Sequence, residues 1–261
     1  LSHKLAEFGI AADRGFLPLE DPLIELPSDL NFLDDFGREI PDLLESGKIM
    51  QVAGSLPVPS IEKLAALSQP EKNRAMMIYG FGASAVVHST NPSQVLLPSQ
   101  LAIPLSWLSQ DSGKLPILSY CSYALNNWRR VDPARDIVLG NIELLQNFVK
   151  VYDENWFILV HIDIERQAAD VIESGLLAIQ IAKVGNTHIL WHTLSGLNAA
   201  IGRMTKTLER MPEQCSTDVY YLSVRPWIMS FKDVVYEGVS EESKSYRGET
   251  GAQSSIVPFL I

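Results

Sequence analysis

Trp156-Phe-Ile-Leu-Val-His-Ile-Asp-Ile-Glu165 decides the fold, because it has two readings. With a period of two it is a strand that puts His161, Asp163 and Glu165 on one face, a spacing suited to a non-haem metal ion. With a period of 3.6 it is a buried helix in which Phe157, His161 and Glu165 form one stripe. Length decides for the helix. The apolar pattern runs on through Ala168, Val171, Ile172, Leu176 and Ile179, well past the length of a normal strand. A lone histidine on such a face is more often a satisfied core residue than a catalytic one, so the stripe alone assigns no chemistry.

The next stretch carries the clearest periodicity of the chain. Leu190, Leu194, Leu197, Ile201, Met204, Leu208 and Met211 alternate spacings of four and three, with Asn186 and Thr187 placed to cap and Pro212 to stop. This predicts one helix of about six turns packed along one seam. His188 and His192 are four apart but lie opposite the seam without a following zinc-protease glutamate, which makes them exposed helix residues. Upstream, helices are predicted over 30–44 and 60–87, with Ser60 and Ser68 as starts. An aromatic helix is predicted over 120–128, ended by Asp132-Pro133. Prolines at 18, 22 and 27 prevent a regular helix before residue 30 and predict an extended arm that wraps a larger body.

The chain of 261 residues is 46% hydrophobic, enough for one large core or two smaller ones. A net charge of -10 and the lack of any Lys/Arg cluster exclude a nucleic-acid binder of the usual kind. No apolar run reaches the roughly 18 residues that span a bilayer, and Cys121 and Cys215 form neither a disulfide framework nor a metal knuckle. A cytoplasmic protein is expected. The start at Leu1 and the apolar finish at 257–261 suggest that both ends are cut. There is no Gly-x-Ser-x-Gly elbow and no phosphate or dinucleotide loop.

The last forty residues look like a site for a small anion. Arg225 offers a guanidinium for a carboxylate, and the loop Arg247-Gly-Glu-Thr-Gly-Ala-Gln-Ser-Ser255 offers hydroxyls and the backbone N–H groups of Gly248, Thr250 and Gly251.

Taken in order, Gly15-Phe-Leu-Pro18, Leu44-Glu-Ser-Gly47, the stretch 117–133, the 157–165 helix, Arg225, Tyr236-Glu-Gly238 and Gln253-Ser-Ser255 resemble the indoleamine 2,3-dioxygenase family along most of the chain. The resemblance implies an all-α fold in which a small N-terminal helical domain, residues 1–147, covers a larger helical haem-binding domain, of which 148–261 is the first part. It implies haem b, active as ferrous iron, and a reaction of L-tryptophan with O2 that gives N-formylkynurenine, with a reductant as partner and tryptophan catabolism as its setting. Tyr120, Tyr123 and Ala124 would line the indole pocket, Phe157 and His161 the distal face of the haem, and Tyr220 and Arg225 the substrate entrance. His161 would be the catalytic residue. Arg225 would hold the substrate carboxylate. Gly248, Thr250, Gly251 and Ser254 would belong to a mobile loop beside the haem, with Thr250 near a propionate and the substrate ammonium.

The chain departs from the family at three points. His161 stands where mammalian members have serine and the related tryptophan dioxygenases have histidine. Tyr123 and Tyr220 stand where mammalian members have Cys and Phe. The family's iron-ligating histidine would lie beyond Ile261, so no residue here is expected to bind the metal, and a C-terminal segment of the same protein becomes an expected partner. Two other functions stay open within the resemblance: a same-fold haem enzyme that rearranges a halogenated tryptophan, and a non-catalytic haem-binding or signalling relative.

Overall fold

The computed structural model describes residues 5, 7–89, 95–248 and 251–261. Helices α1 (Asn31–Glu45), α2 (Ile49–Ala53), α3 (Ile61–Ala65), α4 (Gln69–Ser89) and α5 (Ser99–Asp111) precede a long pair, α6 (Tyr152–Val184) and α7 (Thr187–Leu208). The short α8 (Thr217–Val219) and α9 (Ile256–Leu260) follow. The fold is mainly helical, and the 156–165 stretch lies inside the 33-residue α6, as its length predicted.

Local chemistry sets the boundaries. Ser60 caps α3 by accepting from the Lys63 amide. Glu71 reaches back to the Ser68 amide and hydroxyl, half of a capping box at the start of α4. Gly185, with φ +76, ends α6 by donating to the Ala182 and Ile181 carbonyls. Asn186 then starts α7 by accepting from Ile189. The two long helices therefore form a tight antiparallel hairpin.

α4 is the axle of the core. Every residue from Arg74 to Val87 is buried, the signature of a helix packed on all sides. Gly82 makes room for Phe36 of α1, where a Cβ would come within 2.6 Å of the ring. Around α4 gather the arm (Leu17, Leu26), α1, α5, Trp128, Phe148 and the Ile158, Leu159 and Ile162 face of α6. This cluster draws on residues on both sides of position 147. A second, smaller cluster joins Ala168 and Val171 of α6 to Ala200 and Met204 of α7 and Ile256 of α9.

The arm wraps as its prolines predicted. Arg14 and Arg130 both bind Asp21. Gly15, with φ +60, lies so close to α6 that a Cβ would come within 2.2 Å of the Glu165 carbonyl oxygen. Behind the arm, Asp34 accepts from the Arg74 guanidinium and the Leu26 amide, an ion pair almost fully out of water.

The structure differs from the periodicity argument in three places. Strands β1 (Val95–Leu97), β2 (Arg129–Arg130), β3 (Ile142–Glu143), β4 (Phe231–Tyr236) and β5 (Lys244–Tyr246) form two small sheets that the pattern does not announce. β1 pairs parallel with β4 across the chain, Val95 opposite Val234. The predicted 120–128 helix is a π-helical turn over Cys121–Leu125, after which the chain enters β2. The α7 seam is only partly covered: Met204 is buried and Leu197 and Ile201 half-buried, while Leu194 and Leu208 are 46% and 51% exposed. Ile189 and Trp191 of α7 and Leu177, Ile179 and Val184 of α6, nearer the hairpin tip, are also exposed. No helix among the described residues is long and apolar enough to cross a membrane.

Candidate functional site

Phe157, His161 and Glu165 fall one turn apart on α6, as the 3.6 period required. His161 Nδ1 lies 2.7 Å from the Phe157 carbonyl oxygen. A carbonyl only accepts, so Nδ1 carries the proton. Burial holds the imidazole below its ordinary pKa, against the smaller opposite effect of that hydrogen bond. The ring is therefore neutral, and Nε2 presents a bare lone pair. Gly251 stands over that nitrogen: a Cβ on it would lie 3.8 Å from Nε2.

Aromatic rings frame the imidazole. Phe157 contacts it with centroids 4.4 Å apart and stacks on Tyr220 at 4.2 Å, while Tyr120 approaches edge-on at 6.2 Å. Tyr220 opens a second π-helical turn, Tyr220–Val224, closed by the Arg225 amide donating to the Tyr220 carbonyl. That wide turn stacks Arg225 one turn above Tyr220. The Arg225 guanidinium is exposed, lies 5.1 Å from the Tyr221 ring centroid, and makes no ion pair among the described residues.

The loop reaches α6 through Glu165. Its Oε1 accepts from Tyr120 Oη at 2.7 Å and from Ser254 Oγ at 2.6 Å. The Tyr120 amide donates to Gln253 Oε1 at 2.8 Å, so Tyr120 and Glu165 between them hold two successive loop residues. Burial raises the Glu165 carboxyl above its ordinary range, opposed by the Ser254 and Tyr120 hydrogen bonds.

Other expected site residues sit differently. Tyr123 and Ala124 are buried. Tyr123 stacks on Phe81 at 5.7 Å, and its hydroxyl bonds Glu154. Glu154 also accepts from the Phe148 and Val149 amides, clipping the chain that enters α6. The Gly248 N–H, expected to be free for an anion, is taken by Ser230 Oγ at 3.1 Å, and a Cβ there would strike the Met229 carbonyl at 2.5 Å. Gly248 is thus a close-packing point. Thr250 lies outside the described residues. The strand reading of His161, Asp163 and Glu165 as metal ligands is excluded, since Asp163 Oδ1 accepts from Gln167 and Oδ2 from the Leu139 amide, not toward Glu165. No cluster of three possible metal ligands occurs among the described residues. The His188 and His192 rings, 4.7 Å apart, remain exposed.

Sequence reasoning missed Glu165 as the common partner of Tyr120 and Ser254. Its place two turns after Phe157 on the same stripe was the available signal.

In this helical body a neutral imidazole lies between aromatic rings, beside a glycine- and serine-bearing segment. The chain belongs to the indoleamine 2,3-dioxygenase family, whose model matches residues 4–260. It is 28% identical over 263 residues to human indoleamine 2,3-dioxygenase 2, covering 97% of this chain and 64% of that protein. It is 25% identical over 271 residues to the 6-hydroxytryptophan 2,3-dioxygenase of Fusarium equiseti, covering 100% and 67%. A protein named myoglobin from Haliotis diversicolor is 26% identical over 267 residues, covering 98% and 68%. The chain thus spans less than two thirds of the human relative's length.

Proposed function

We propose that the whole protein is a haem-dependent dioxygenase that inserts O2 across the indole C2–C3 bond of L-tryptophan to give N-formylkynurenine. The observation that carries this reading is the neutral His161, whose Nε2 lone pair faces Gly251 between Phe157 and Tyr120. The residues present fit a haem on one side. Phe157 supplies a ring for the macrocycle, and the missing Cβ of Gly251 leaves space at the imidazole edge. Phe157, His161, Gly251 and Ser254 would line it, with Gly248 and Thr250 in the loop that borders it. When bound, the haem supplies the iron chemistry that activates O2.

The chain's own residues then bind, orient and exclude water. His161 Nε2 is an acceptor in this tautomer, so it takes the indole N–H and fixes which edge of the ring faces the cofactor. Tyr120, Ala124 and the Phe157–Tyr220 stack wall the ring, with Tyr123 held behind by Glu154. Arg225, free of any acidic partner among the described residues, holds the substrate carboxylate. No group within 1–261 is assigned to the iron. The iron ligand would then lie outside residues 1–261, in the part of the relatives' length that this chain does not span. In the whole protein residues 1–147 form the smaller domain and 148–261 the start of the larger.

Full-length protein given haem, a reductant, O2 and L-tryptophan tests the reading by absorbance. A Soret band followed by a kynurenine chromophore is expected, whereas a Soret band without product would favour a haem carrier, the reading to which the Haliotis relative's name points.

A further inference from the structure

We propose that Glu165 is a positioning residue: by holding the Tyr120 and Ser254 hydroxyls on one carboxyl oxygen, it latches the 251–255 segment to α6 and keeps the loop closed over the substrate. The inference rests on the functional reading above for what the loop covers, but the latch itself stands on geometry.

Three hydrogen bonds meet at this point. Tyr120 Oη and Ser254 Oγ share Glu165 Oε1, and the Tyr120 amide holds Gln253 Oε1. Glu165 is 1% exposed, so water cannot replace it as the acceptor. The latch passes back along the loop, because Gln253 Nε2 donates to the Gly248 carbonyl at 3.3 Å.

Glu165 Oε2 is buried and has no hydrogen-bond partner among the described residues. Among the described residues no cation pairs with it: Arg14 of the arm is engaged by Asp21, Arg166 lies by Asp136, and His161 is neutral. Burial raises the carboxyl above its ordinary range while the Ser254 and Tyr120 hydroxyls oppose the shift, and Oε1 accepts both hydroxyls in either protonation state. A glutamine reproduces this arrangement, its amide oxygen taking the place of Oε1. A leucine of similar bulk removes it.

The test is limited trypsin digestion of the full chain, with cleavage after the exposed Arg247 read by mass, beside KM for L-tryptophan. Glu165→Leu should raise the Arg247 cleavage rate about ten-fold or more through loss of two buried hydrogen bonds. It should raise KM in step. Glu165→Gln should retain wild-type protection and KM, and Ser254→Ala should reproduce part of the leucine effect if the leucine variant fails to fold. Wild-type cleavage in both Glu165→Leu and Ser254→Ala, or a glutamine variant as labile as the leucine one, would overturn the latch. Faster cleavage in Glu165→Leu together with a wild type that never oxidises tryptophan would support the latch and sink the substrate reading instead.

Discussion

Replacing Gly15 with alanine tests how the N-terminal arm is seated on the helix that carries His161 and Glu165. The added Cβ would lie 2.2 Å from the Glu165 carbonyl oxygen and 2.9 Å from the Ala169 nitrogen, both backbone atoms that no side-chain rotation can move. Ordinary contact begins near 3.4 Å, so the arm or α6 must give by roughly 1.2 Å (3.4 minus 2.2). Gly15 also has φ +60, which costs an alanine roughly 1–2 kcal/mol. Overpacking against a fixed backbone adds about 1–3 kcal/mol, for a total of ~2–5 kcal/mol. In a chain of this size that corresponds to a fall in Tm of about 5–15 °C. Thermal unfolding followed by circular dichroism measures it. A Gly15→Ala variant that melts within about 2 °C of wild type would refute the close seating of the arm on α6.

Three further outcomes follow from the structure. Asp34→Ala should cost about 3–5 kcal/mol in urea unfolding, because it leaves the Arg74 guanidinium buried with only the Leu23 carbonyl as a partner; a loss below about 1 kcal/mol would mean the pair is solvated. Arg225→Ala should raise KM strongly for tryptophan and little for an indole substrate without a carboxylate, through loss of a pair worth ~1.5–3 kcal/mol; equal effects on both would remove Arg225 from the carboxylate. Burial pushes the Glu154 carboxyl up to about 8, against the Val149 and Phe148 amides and the Tyr123 hydroxyl that lower it. Its folded pKa lies above the ordinary 4.5, so its contribution is full below that value and is lost as pH rises to about 8. Tm measured across this range should fall in wild type and fall less in Glu154→Gln, and parallel curves would contradict the shift.

Much of the helical frame could be read from the sequence because its signals are local. Asn186 caps α7, Ser60 caps α3, and the long apolar run of α6 could not be a strand. The Phe157–His161–Glu165 stripe followed from the same period. What escaped is set by partners distant along the chain. Val95 pairs with Val234, and three residues of strand carry too little pattern to announce that pairing. Periodicity located the apolar face of α7 but not what covers it, so the exposure of Leu194 and Leu208 was invisible. The π-helical turns at Cys121–Leu125 and Tyr220–Val224 shift each following side chain without altering composition. The shared hydrogen bonds at Glu165 join residues 120, 165 and 254, and no spacing rule links such positions.

The central claim is the proposal that the residues around His161 serve oxygen insertion into tryptophan. Full-length protein with haem and a reductant should be incubated with L-tryptophan under isotopically labelled O2, and the product weighed by mass spectrometry. The account predicts N-formylkynurenine with both oxygen atoms of the labelled gas in it. Unchanged tryptophan in a haem-loaded sample, or an indole product without label, would contradict it.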